Sequence, residues 1–227
     1  MPKYVIFNAD DFGASTGING AIRDCHVNGV VTSTSLMVTG AAAAEAAAIA
    51  RDHPALAVGL HWDIEGEGER TFDTRNTSLV RDELRRQLDA FERIMGRAPT
   101  HIDSHRHAHQ LDHVFPAFRE MVAPLGVPLR GDGRVKFTGG FYAQWEWQVT
   151  ELKYVSVPFL ETMLRDEVAE GWNEFSCHPG YVTPDFRSVY LAEREEEVRT
   201  LTDPAIRRTI EALGYRLASF ADVPRTR

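Results

Sequence analysis

The chain has 227 residues, 43% hydrophobic and 26% charged, with 25 basic against 33 acidic side chains and a formal net charge of −8. That length and apolar content allow a sizeable core and exclude disorder as the main state. The negative balance argues against nucleic acid as a partner, because phosphate binding wants a basic surface.

No apolar run approaches the roughly 18 residues of a membrane span, and the first residues lack a signal-type leader. Cys25 and Cys177 lie far apart and form no CxxC pair. A disulfide framework is therefore not expected, and a reducing, cytoplasmic setting is.

In chain order, residues 4–8 form a strand-like burst, followed by a helical stretch that ends near Gly29. Residues 30–38 are β-branched and predict a second strand. The Ala-rich run 41–50 predicts a helix, and 56–62 a third strand. Residues 65–77, polar and Gly-containing, predict a loop. The clearest helix is 77–95. Its apolar residues Val80, Leu84, Leu88, Phe91 and Met95 recur at spacings of three and four, and Gly96 lies just past its end.

Further strands are predicted at 100–104, 127–131, 174–178 and 215–220. Helices fill the gaps at 115–124, 150–170 and 191–213, the last broken at Pro204. The stretch 136–147 is aromatic and Gly-rich and stays unassigned. About seven strands alternating with helices imply a parallel sheet covered on both faces, either closed into a barrel or open and doubly wound. With no linker, composition shift or repeat, residues 1–227 read as one domain.

The chemistry-bearing residues gather at the C-terminal ends of the predicted strands. Asp10 and Asp11 follow the first, His61 and Asp63 close the third, and Arg130 and Asp132 end the fifth. His178 ends the sixth, while His101, Asp103, His105, His107 and His109 run through and past the fourth. In a parallel α/β fold these residues share one rim, where such folds place their sites.

Asp10-Asp11 reads either as a turn or helix N-cap, or as one carboxylate on a cation with the other acting as a base beside it. In an extended segment the odd positions 101–109 share a face. Any one of these histidines fits a solvated loop or a hydrogen-bonded core. Together with Asp10-Asp11 and His61 they favour a metal site, since one carboxylate and two imidazoles leave positions open for water and substrate. Two imidazoles suit zinc, whereas carboxylate and water suit magnesium or manganese. Asp11-Phe12-Gly13 spells a kinase triplet with no room before it for a nucleotide lobe, and HExxH, P-loop, GxGxxG and GxSxG patterns are absent.

Five segments resemble the YdjC/ChbG family of carbohydrate deacetylases, relatives of the polysaccharide deacetylases. They are Asn8-Ala9-Asp10-Asp11-Phe12-Gly13, Gly29-Val30-Val31-Thr32-Ser33-Thr34, Gly59-Leu60-His61, Thr100-His101-Ile102-Asp103-Ser104-His105 with His107 and His109, and Cys177-His178-Pro179. They span most of the chain.

The resemblance implies a distorted (β/α) barrel of about seven parallel strands. It also implies one divalent cation held by Asp11, His61 and His105, magnesium by the family's usual description and zinc on ligand chemistry, with Asp10 as general base and His178 as acid. The expected reaction is removal of acetyl from an N-acetylated amino sugar or glycoconjugate.

Arg130, His107, His109, Asp132 and Trp145 stand as candidate substrate contacts. Arg130 would orient Asp10, hold a sugar hydroxyl or form a structural ion pair. The aromatic group Phe137, Phe141, Tyr142, Trp145 and Trp147 reads as core, as a homodimer contact or as a sugar-stacking wall. A metal-dependent phosphoesterase and a non-catalytic sugar-binding barrel are the competing functions. The first wants more phosphate-gripping cations than Arg130 and Arg106, and the second has no need of Asp10 and His178.

Overall fold

The computed structural model describes residues 2–66, 68 and 71–226. Three positions of the predicted 65–77 loop (67, 69 and 70) lie outside the described residues, as do the two terminal residues.

Among the described residues seven strands are interspersed with seven α-helices: β1 (Lys3–Phe12), α1 (Thr16–Asn28), β2 (Ser33–Leu36), α2 (Ala43–Asp52), β3 (Ala57–Trp62), α3 (Thr77–Met95), β4 (Ile102–Ser104), α4 (Phe115–Val122), β5 (Lys136–Thr138), α5 (Val157–Asp166), β6 (Gly171–Cys177), α6 (Ala192–Thr202), α7 (Pro204–Ala212) and β7 (Arg216–Leu217). The sheet is parallel throughout, in the order β4-β3-β2-β1-β6-β5. β7 pairs with Tyr4 and Val5 of β1, just short of where β2 pairs with Asn8 and Ala9.

The predicted strand 127–131 is reduced to one parallel bridge, Ile102 with Leu129, flanked by Ile102 N–H to Pro128 O and Arg130 N–H to Ile102 O. The ladder at the opposite edge is β5, inside the unassigned aromatic stretch. Among the described residues no ladder joins these two edges, so the barrel stays incomplete. The Arg130 guanidinium spans the seam instead, 4.9 Å from the Phe137 ring centroid.

The helices follow local chemistry. Ser15, Asn76 and Asp203 cap α1, α3 and α7 with side-chain oxygens, and α3 stops at left-handed Gly96. The predicted helix 150–170 is interrupted instead. A 3₁₀ turn at Leu152–Val155 gives way to extended Ser156, and α5 restarts with Pro158 in its first turn. The final strand shrinks to two residues because Phe220–Asp222 turns into a 3₁₀ helix closed by a Ser219–Asp222 capping box.

Strand alternation divides the buried side chains. Val5, Phe7 and Ala9 of β1 join the apolar core beneath the helices, with Val58, Leu60, Ile102 and Phe175. The opposite face of β1 carries Ile6, Asn8 and Asp10. Ile6 sits in an apolar plug with Val135, Ala218, Phe220 and Val223. Above the plug the inner side is polar. Asn8 and Ser35 donate to Asp103, and the His101 ring contacts Ser35 Oγ at 3.0 Å while lying 3.8 Å from the Phe220 ring in a stacked pair. Gly59 makes room for that ring, since a Cβ there would sit 2.5 Å from it. Both cysteines are free and buried.

Candidate active site

Strand one does not end before its carboxylates, as the sequence suggests. β1 runs through both and is bulged between Ala9 and Phe12, with Asp11 at φ 68°. A period of two would send neighbouring side chains to opposite faces. The bulge breaks that alternation and brings both carboxylates to the C-terminal mouth. The capping role open to the pair falls to Ser15.

β4 ends at Ser104, and His105–Gln110 forms a 3₁₀ segment with Arg106 and His107 at φ 50° and 52°. The shared face expected for the odd positions 101–109 is therefore lost. His101 lies inside with the plug, His105 turns to the mouth, and His109 is buried with no exposure. Ser104 Oγ lies 2.5 Å from His109 Nδ1, and His109 Nε2 donates to the Arg130 carbonyl at 2.9 Å.

Asp11, His61 and His105 each offer one ligand atom, all within 4.8 Å of one another. Asp11 Oδ1 is 3.3 Å from His61 Nε2 and 3.0 Å from His105 Nδ1. His61 Nδ1 donates to Asp103 Oδ1 at 2.7 Å, which fixes the ring and aims Nε2 at the shared point. Burial opposes ionisation of Asp11, but the Arg194 charge and the bonds from His105 and His61 hold it well below the usual carboxylate range. Burial likewise opposes protonation of His61, and the Asp103 and Asp10 carboxylates outweigh it, raising its pKa well above the usual value.

One carboxylate and two imidazoles, with the orienting carboxylate already in position, match the donor set of an open divalent site. A second group, Asp10, His61 and Asp103, also lies within ligand distance. There the Arg130 guanidinium is already the cation, 2.8 Å from each Asp10 oxygen and 3.0 Å from Asp103 Oδ2.

Arg130 thus grips Asp10 with both arms of its fork, while Glu174 Oε1 accepts from Arg130 Nε at 3.0 Å and Nη2 at 2.6 Å. Burial would raise the Asp10 pKa, but the guanidinium overcomes it and the carboxylate stays ionised. For Glu174 burial prevails and pushes the pKa up to about 7. His178 Nε2 lies 3.9 Å from Asp10 Oδ2. Burial brings the His178 pKa down to about 4, so its ring is neutral at pH 7. Its Nδ1 is buried without a hydrogen-bond partner.

These groups open onto a cleft of about 390 Å³ lined by Asp10, Asp11, His61, His105, His107 and His178. Tyr142, Trp145, Trp147 and Tyr190 form an aromatic side. Tyr142 stacks on Tyr190 at 4.8 Å and meets His178 and Trp145 edge-on. Trp145 and Trp147 are 58% and 76% exposed, whereas Phe141 is core.

Three expected substrate contacts do not line the cleft. His109 is the structural histidine just described. Asp132 turns back to accept from Leu129 N–H and Arg134 Nε, bordering a different surface hollow. Arg130 lies beneath Asp10, 4% exposed, and is not among the residues lining the cleft.

Sequence reading missed Arg194, whose Nη2 donates to Asp11 Oδ2 at 2.6 Å, and Glu197, which accepts from Tyr190 OH at 2.6 Å and from the His178 N–H. Both are on α6, where Glu193, Arg194 and Glu197 are buried with Val198 and Leu201. The polar, charge-rich sequence of α6 has no clear apolar stripe, so no periodic signal marked these buried charges. Burial raises the Glu197 pKa to about 8.

Comparison with known proteins gives a consistent result. The family described as "YdjC-like protein" matches residues 4–212. A carbohydrate deacetylase of Geobacillus stearothermophilus is 34% identical, covering 98% of both chains. A chitooligosaccharide deacetylase of Serratia marcescens is 32% identical over 98% of this chain and all of its own.

Among solved structures, an Enterococcus faecalis V583 protein provisionally described as a cellobiose-phosphate cleavage protein superposes with a TM-score of 0.80 at 24% identity, covering 97% of this chain and 98% of its own. The polysaccharide deacetylase of Bacillus cereus shares the fold at a TM-score of 0.59 and 14% identity, over 96% and 91%.

Proposed function

This chain belongs to the YdjC-like family, and from that premise we propose that it is a metal-dependent hydrolase that removes acetyl groups from N-acetylated amino sugars or their conjugates. The observation that carries the reading is the meeting of Asp11, His61 and His105 at one point, next to an ionised Asp10 held by Arg130, in an aromatic-walled cleft. The relatives named carbohydrate and chitooligosaccharide deacetylase support that substrate class.

Asp11, His61 and His105 would hold the cation. When bound, such an ion supplies Lewis acidity toward an amide carbonyl and eases deprotonation of water. Two imidazoles favour zinc over magnesium.

Asp10 takes the proton as the water oxygen forms its bond to the acetyl carbon. Arg130 fixes both carboxylate oxygens and keeps them ionised at neutral pH. His178, neutral at rest, receives that proton across the 3.9 Å gap and passes it to the sugar nitrogen as the C–N bond breaks. Acetate and a free amino sugar leave. Trp145, more than half exposed on the cleft, offers a ring face to the apolar face of the sugar.

The test is acetate release from N-acetylglucosamine oligomers by zinc- and magnesium-loaded protein. Asp10→Asn should lose roughly 10²–10⁴-fold in kcat while still binding metal. A near-normal rate in that variant removes the base assignment. Phosphate release from an aryl phosphate without acetate release would make the protein a phosphoesterase, and oligomer binding without turnover a sugar-binding barrel.

A further inference from the structure

We propose that Arg194 is the positioning residue that makes Asp11 a one-oxygen ligand and ties the ion site to the cleft wall bearing His178, an inference that rests on the metal-site reading above. Arg194 projects from α6 and is 4% exposed. A guanidinium so buried needs acceptors and a counter-charge, and the pattern in which it finds them is informative.

Its Nη2 donates to Asp11 Oδ2 at 2.6 Å. The other oxygen, Oδ1, faces His61 Nε2 at 3.3 Å and His105 Nδ1 at 3.0 Å. The two oxygens of one carboxylate are thus divided between a fixed cation behind and the ligand cluster in front. A merely structural ion pair has no need of that division. Asp11 also sits at φ 68°, a backbone state that non-glycine residues hold only when their surroundings enforce it. The charge-assisted bond from Arg194 supplies such a constraint on its side chain.

The same guanidinium organises the wall. Nη1 donates to the His178 carbonyl at 3.2 Å and Nε to the Tyr190 carbonyl at 3.1 Å. Its charge lies 5.2 Å from the Phe186 ring centroid and 5.8 Å from that of Tyr190. Gly180 leaves the path for its stem, because a Cβ there would lie 3.0 Å from Arg194 Cδ. One planar fork therefore links the bulge of β1, the end of β6 and the segment entering α6. A lysine, with a single nitrogen, could hold Asp11 but not the two carbonyls as well.

The experiment is calorimetric titration of zinc into metal-free wild type, Arg194→Gln and Arg194→Lys, alongside KM for an N-acetylglucosamine oligomer. The Gln variant should bind zinc about 10–100-fold more weakly. The Lys variant, keeping a charged donor for Oδ2, should restore most of that affinity yet show a raised KM, because the wall loses its donors. Equal zinc affinity in wild type and Arg194→Gln overturns the inference alone. A wild type that binds no zinc overturns the metal-site reading and the inference with it. If Arg194→Gln does not fold, Gly180→Ala serves, since it displaces the stem while keeping the charge. Weakened zinc binding supports the proposal, and unchanged binding overturns it.

Discussion

At the scale of single residues, the site works by dividing labour among like groups. Four buried acids surround Arg130 and the ligand point, and their surroundings set them apart. Asp10 and Asp11 are held ionised by guanidinium groups, Asp103 orients His61, and Glu174 keeps its proton up to about pH 7 under burial. The histidines divide in the same way. His61 and His105 face the ligand point, His178 faces Asp10, and His101 and His109 spend both ring nitrogens on internal bonds.

Trp145 belongs to this scale too. It is more than half exposed on the cleft with one edge contact to Tyr142, so little of the fold depends on it. Trp145→Ala should raise KM for an acetylated oligosaccharide about fivefold, in line with a stacking contact of about 1 kcal/mol. kcat and Tm should stay near wild type. A fallen Tm would instead make Trp145 a packing residue.

At the scale of elements, the sequence conveys which strand ends carry chemistry more clearly than how each end bends. His61 and His178 are legible because each closes or follows a buried strand whose apolar run is plain in the sequence. The joint orientation of Asp10 and Asp11 is hidden, because regular alternation would separate them and only the bulge at φ 68° reunites them. The histidine run misleads for the complementary reason. Alternation is sound inside a strand, but β4 is three residues long and the chain then turns through two left-handed residues. Short elements fail similarly. β5 carries too little pattern to distinguish it from a loop, and 127–131 pairs at a single bridge. Arg194 and Asp103 act through other side chains, which spacing along one element does not reveal.

At the scale of the whole molecule, the barrel interior is layered: an apolar plug, a hydrogen-bonded polar layer, then the charged mouth. The polar layer makes stability depend on pH. Burial brings His101 and His109 down to about 4, against an ordinary value of 6.5. As pH falls below about 6.5 the unfolded chain takes up protons that the native rings refuse, so their share of stability declines from about pH 6.5 to about 4. His109→Gln should lower Tm at pH 7, and its deficit against wild type should shrink as the pH approaches 4. A deficit independent of pH would mean that His109 is not held neutral.

Above that layer, the account depends on one ion shared by residues from three strand ends. Anomalous diffraction from zinc-loaded crystals tests this most directly. A single peak at roughly 2.0–2.2 Å from Asp11 Oδ1, His61 Nε2 and His105 Nδ1 is the expected result. A peak among Asp10, His61 and Asp103, or none at either place, would contradict it.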